Sequence, residues 1–324
     1  MNNRNKFIMI LITVVLFLNG VSQDINMKVI LVDFYKGIQS LPEITVNPDV
    51  EGFYPLYFDK NPKPAHCYLG KYSEEVPKDV AAEIEAIVEG IFNKDEAISQ
   101  EKYRAIKDQV NNRSFNLFMQ GLSELKNFNF NGAYGLLKKS LEDNPNNDLA
   151  FFNTAKILNL LGKKNDAREF IISALALNPK YNYYAVRNAY LLKQLNIEIK
   201  PFWFKPKWRI ASNAVEVKDV VWKYYIQAYL IFQNYTVQQL FELTNIEKKY
   251  LAVHVIAFNV LLHYAKLNDL MTDELKKIEE IQKKGYLIPF INTEILYYFP
   301  EQIQPFTNEE IKDIIKYYKD TYLD

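Results

Sequence analysis

The chain has 324 residues, enough for about two domains, and 49% of them are hydrophobic, which fills a core and excludes wholesale disorder. Lys+Arg 39 balance Asp+Glu 39, so the basic footprint of a nucleic-acid binder is absent and no nucleic-acid partner is expected. One cysteine excludes an intramolecular disulfide framework and any multi-cysteine metal site.

Arg4 and Lys6 precede an apolar run from Phe7 to Leu18, followed by Asn19-Gly20-Val21-Ser22. A basic start, a short apolar stretch and small residues before a cut describe a secretory signal peptide over 1–22. The run is shorter than the ~20 residues of a spanning helix. The expectation is therefore a mature chain beginning at Gln23, exported to the periplasm or cell surface, with no integral span after cleavage. The apolar stretch Tyr250–Leu267 contains Lys266 and two histidines and reads as a buried helix rather than a span.

Residues 23–113 form an N-terminal region. Ile25, Val29, Val32 and Ile38 favour a helix near its start. Six prolines make 42–78 irregular, with a short strand expected at Tyr54-Leu56-Phe58. From Asp79, taken as an N-cap, Val80, Ile84, Ile87, Val88 and Ile91 fall on one helix face. A second helix is expected over 95–110.

Residues 114–196 repeat themselves. Gly121 and Ala155, Ala133 and Ala167, Ser140 and Ala174, and Pro145 and Pro179 are each 34 apart. Ser114, Asp148 and Asn182 follow the same step and are of N-cap type. Small residues at these positions let paired antiparallel helices approach closely, and the prolines end each second helix.

A 34-residue helix–turn–helix period resembles the tetratricopeptide repeat family. The full copies are 114–147 and 148–181. A third starts at Asn182 but meets Pro201 where its second helix belongs, leaving 182–196 as a partial copy. The resemblance implies an all-α solenoid of antiparallel helix pairs, completed by flanking helices. It also implies a concave groove lined by the first helix of each copy, here Phe118, Leu122, Leu125, Phe152, Lys156, Asn159, Val186, Tyr190 and Lys193. Such a groove suits a polypeptide partner; the alternative occupant is the chain's own N- or C-terminal helices.

Residues 197–213 read as an aromatic, proline-containing linker whose Trp203 and Trp208 either dock on neighbouring helices or offer aromatic contact to a ligand. Residues 214–324 read as helical: a stripe through Val217, Val220, Val221, Tyr224, Tyr225, Ala228 and Ile231, a short helix capped by Thr236, a strongly apolar helix over 246–267, and a charged one ending at Gly285. Pro289 opens another helix, and Thr307-Asn-Glu-Glu310 is a capping box for the last.

Catalytic motifs are missing. His254 and His263 lie nine apart on one helix and face opposite ways, so they make no metal pair. His66-Cys67 are adjacent on an extended segment and point apart. No catalytic residue, metal or cofactor is expected. The leading expectation is a non-enzymatic exported scaffold that binds a polypeptide; the alternative is an envelope enzyme or carbohydrate-binding protein using 42–78 or the tryptophan segment.

Overall fold

A computed structural model describes residues 25–50, 67–68, 77–92, 96–110, 112–178, 189–211, 214–296, 299 and 302–323. The signal segment, the strand expected at 54–58, His66, Pro179, Asn182 and Val186 lie outside the described residues. The chain divides into two compact units, Met1–Phe53 with Phe204–Ile291 and Tyr54–Trp203 with Asn292–Asp324.

The first unit is helical with one small sheet. Helix α1 (Met27–Gly37) buries Met27, Ile30, Leu31 and Phe34 against α9 (Val220–Phe232) and α11 (Lys249–Leu267). At its end Gly37 lies so close to Ile231 that a Cβ would meet that side chain at 2.9 Å. Strand β1 (Ile44–Val46) runs parallel to β3 (Ala214–Val217), and β2 (Trp208–Ala211) pairs antiparallel on its other side, with Ile44 opposite Val215 and Trp208 opposite Val217. Residues expected as linker (208–211) and as helix (215–217) are therefore strands. Val215-Glu216-Val217 alternates apolar with polar, and the helix waits until Asp219, whose carboxylate accepts from the Val221 amide.

The core of this unit is aromatic. Phe204, Trp208, Trp222, Tyr225, Phe258 and Phe290 form a chain of ring contacts, the tightest being Trp208 stacked on Tyr225 at 4.6 Å. Helix α11 is buried on nearly every side from Leu251 to Leu262. It passes the length and composition test for a membrane span, but its burial marks it as a core helix of this unit. Helices α10 (Val237–Thr244), α12 (Asp273–Lys283) and α13 (Leu287–Phe290) complete the unit, with α10 opened by a Thr236–Gln239 capping box.

The second unit is an all-α array of antiparallel pairs: α2 (Lys78–Phe92) with α3 (Glu96–Ile106), α4 (Arg113–Lys126) with α5 (Phe130–Asp143), and α6 (Asp148–Leu160) with α7 (Lys164–Leu177). Asn112, Asn129 and Asn147 cap α4, α5 and α6 through their side chains. The expected caps sit further in. Ser114 is buried and exchanges hydrogen bonds with Ser140, each hydroxyl donating to the other's carbonyl at 2.9 Å. Asp148 is the first residue of α6 and accepts from Asn178 at 2.5 Å. Gly121, Ala133, Ala155 and Ala167 are buried at the helix contacts; a Cβ on Gly121 would reach Leu137 at 2.9 Å.

The intra-pair turns repeat in geometry. Phe128, Gly162 and Asn196, 34 residues apart, all have positive φ, at 60°, 76° and 52°. The third copy therefore keeps its first helix, α8 (Ala189–Gln194), and its turn. Ile197 onward then runs extended: Ile199 bridges Leu323 and the Lys200 amide donates to the Tyr322 carbonyl at 2.9 Å. The chain's last helix, α14 (Asn308–Tyr322), packs on α7. The solenoid thus receives its closing helix, which starts at Asn308, from 114 residues beyond the end of α8 at Gln194. A Lys319–Glu169 ion pair at 2.6 Å lies across that contact.

Candidate functional site

The second unit brings the expected groove residues to different depths. Phe118 is fully buried and Leu122 nearly so, and neither offers a surface. The reason is α3, which lies along α4: Tyr103 contacts Phe115, Phe115 contacts Phe118, the Tyr103 hydroxyl donates to Asn116 at 2.7 Å, and Gln100 donates to the Met119 carbonyl at 3.2 Å. At this end the chain's own helix covers the first copy.

Further along, the surface opens. Leu125, Phe152, Lys156 and Asn159 are half-buried, and Tyr190 and Lys193 are exposed, Tyr190 by 75%. Phe152, Lys156 and Asn159 stand at i, i+4 and i+7 on α6. The Lys156 ammonium sits 5.7 Å over the Phe152 ring. Asn159 donates to Gln194 of α8 at 2.9 Å, and Tyr190 shares that helix face one turn earlier. One strip therefore runs from Phe152 through Asn159 and Gln194 to Tyr190. It offers rings for apolar side chains, amides for peptide groups and two lysines for carboxylates.

The turn between α5 and α6 already holds polypeptide backbone. Asn144 donates to the carbonyls of Cys67 and Tyr68 at 3.1 and 2.8 Å. Asn146 donates to the Phe306 carbonyl at 3.0 Å and accepts from the Phe306 amide at 2.6 Å, as a paired strand would. Sequence reasoning passed over both residues. The signal was present in Asn144-Pro145-Asn146-Asn147, since asparagines beside a turn proline are suited to bonding backbone.

A buried carboxylate also escaped the sequence reading. Glu294 stands on a single π-helical turn, Ile291–Ile295, and accepts from both the Tyr317 and Tyr322 hydroxyls. Burial, and then the Glu294 charge, push the Tyr317 and Tyr322 hydroxyls well above the ordinary tyrosine range. Both remain protonated donors at neutral pH. The cluster fastens α14 to the preceding segment.

The tryptophan segment divides. Trp208 is 4% exposed, a core residue of the first unit, so the expected ligand contact is not available to it. Burying a ring of that size is worth several kcal/mol at ~25 cal/mol per Å². Trp203 is half-buried in the second unit. His254 is buried beside Tyr225, 2.7 Å from its hydroxyl, and Cys67 is buried. Among the described residues no three of His, Cys, Asp and Glu converge as metal ligands.

A tetratricopeptide repeat model matches residues 136–169. This segment is similar to a tetratricopeptide repeat. The match spans the end of α5, all of α6 and the start of α7, so it contains the Asn144–Asn147 turn and the α6 half of the open strip. The repeat copies on either side of it are supported by the helix pairs and by the three left-handed turns rather than by the match. Tetratricopeptide repeats generally mediate binding to polypeptide partners. No curated protein and no solved structure matches the chain.

Proposed function

We propose that this chain is a non-enzymatic scaffold, exported to the cell envelope, whose tetratricopeptide segment holds a polypeptide partner along α6 and α8. The observation that carries the reading is the strip from Phe152 to Tyr190, a ring–cation–amide surface left open beside a turn that already binds backbone through asparagine amides. Extended or helical peptides suit such a surface, because rings anchor side chains and amides satisfy peptide groups. Export rests on the basic start, the Phe7–Leu18 run and the small residues before Gln23.

The test is the double variant Phe152→Ser/Tyr190→Ser. Neither residue is fully buried, so the melting temperature should stay within a few degrees while capture of the partner from envelope extracts drops more than thirtyfold, at about 2 kcal/mol or more for the anchors. A large drop in melting temperature would show the strip to be part of the unit's own core. N-terminal sequencing of the envelope protein should read Gln23; Met1 in its place would sink the export reading.

A further inference from the structure

The turn between α4 and α5 carries an aromatic ring where the fold disfavours one. Phe128 has φ 60°, a conformation that residues with a Cβ avoid, and 80% of its surface is exposed. The same corner one copy later is Gly162, and in the third copy Asn196, the residue types that tolerate it. Among the described residues the ring's aromatic contact is the edge of Phe130, at 6.4 Å. A bulky side chain kept exposed in a strained corner is an outlier that points to a use.

Its surroundings narrow that use. The next turn presents Leu160, 63% exposed. Lys163 from that turn reaches within 5.9 Å of the Tyr134 ring on α5, which puts both tips on one edge of the array. Between them the tips, 125–130 and 160–165, carry exposed Lys126, Lys163 and Lys164 and no acid. Glu124 and Asp166 flank them; the Glu124 carboxylate is engaged by Asn129 at 2.6 Å, and Asp166 lies in the first turn of α7. Protruding apolar side chains interleaved with lysines match the interface of an anionic membrane, where rings enter the headgroup boundary and ammonium groups meet the phosphates.

We infer that the Phe128–Leu160 edge is a contact for an anionic lipid surface. It is separate from the Phe152–Tyr190 strip and does not depend on it.

The experiment places an environment-sensitive fluorophore on the full chain at Asn127→Cys; Cys67 is buried and leaves the new thiol as the site of labelling. Vesicles rich in phosphatidylglycerol should shift the emission to the blue, and the shift should fade with added salt and be far weaker on pure phosphatidylcholine. Adding Phe128→Gly should weaken the vesicle response about tenfold or more. That variant relieves the backbone, so its melting temperature should not fall, and lost binding cannot be assigned to unfolding. Because the probe reads the tip itself, lipid contact through residues 7–18 does not produce the signal. An unshifted emission, an equal shift in the Phe128→Gly protein, or equal binding to neutral vesicles would overturn the inference; a tip that stays in water on all vesicles would mark the ring as a contact for a protein pocket instead.

Discussion

Phe128 and Gly162 turn the same left-handed corner one repeat apart, at φ 60° and 76°. The two residues differ in what that corner costs. For an L residue with a side chain the left-handed region is about 1–2 kcal/mol unfavourable, and for glycine it is nearly free. Phe128→Gly should therefore raise stability by about 0.5–1 kcal/mol after the added freedom of the unfolded glycine is subtracted. Gly162→Ala should lower it by about 1 kcal/mol, although nothing stands within 4 Å of the new Cβ. Denaturant midpoints of the two variants moving in opposite directions would establish that the repeat register runs through residue 128.

Asn146 is the side chain that fastens the segment before α14 to the repeat. Asn146→Ala removes a donor and an acceptor together, and with them both hydrogen bonds that Asn146 makes to the buried Phe306 backbone. A cost of about 2–4 kcal/mol is expected. Amide exchange should rise first at Phe306 and in α14, which lies on α7 as the solenoid's closing helix. Uniform acceleration across the second unit, with no excess in α14, would contradict the cap assignment.

His263 sets a pH dependence in the first unit. Burial, and then the nearby Lys266 charge, hold its imidazole below the ordinary value of 6.5. In acid the unfolded chain takes up this proton before the folded one does. The contribution is therefore complete above about pH 6.5 and is lost as pH falls below it, through the folded value. His263→Gln should flatten the stability profile of the chain between pH 6.5 and pH 5, measured by thermal melts at closely spaced pH. An unchanged slope would show that the imidazole titrates as it does in water.

The repeat was legible because its determinants are local. Gly121, Ala133, Ala155 and Ala167 recur at a fixed step, and each acts within one helix pair. The caps at Thr236 and Thr307 were legible for the same reason. What the sequence hid depends on partners distant in the chain. The sheet joins Ile44 to Val215, 171 residues away, and no local pattern announces so short a strand. The helix that closes the solenoid is separated from the third copy by most of another unit. Glu294 looked like any solvated acid until Tyr317 and Tyr322 were brought to it. For the strip, the family resemblance supplied Phe152, Lys156 and Asn159, while the covering of Phe118 by α3 depends on how two helix pairs meet.

Tyr190, the most exposed ring of the strip, is where a bound polypeptide should be met first. Replacing it with a photo-crosslinking p-benzoylphenylalanine in living cells, with the exposed Glu309 position as reference, tests this most directly. We expect irradiation to give one discrete adduct of the chain with another polypeptide from position 190 and none from position 309. No adduct from position 190, or the same set of products from both positions, would contradict the proposed role of the strip.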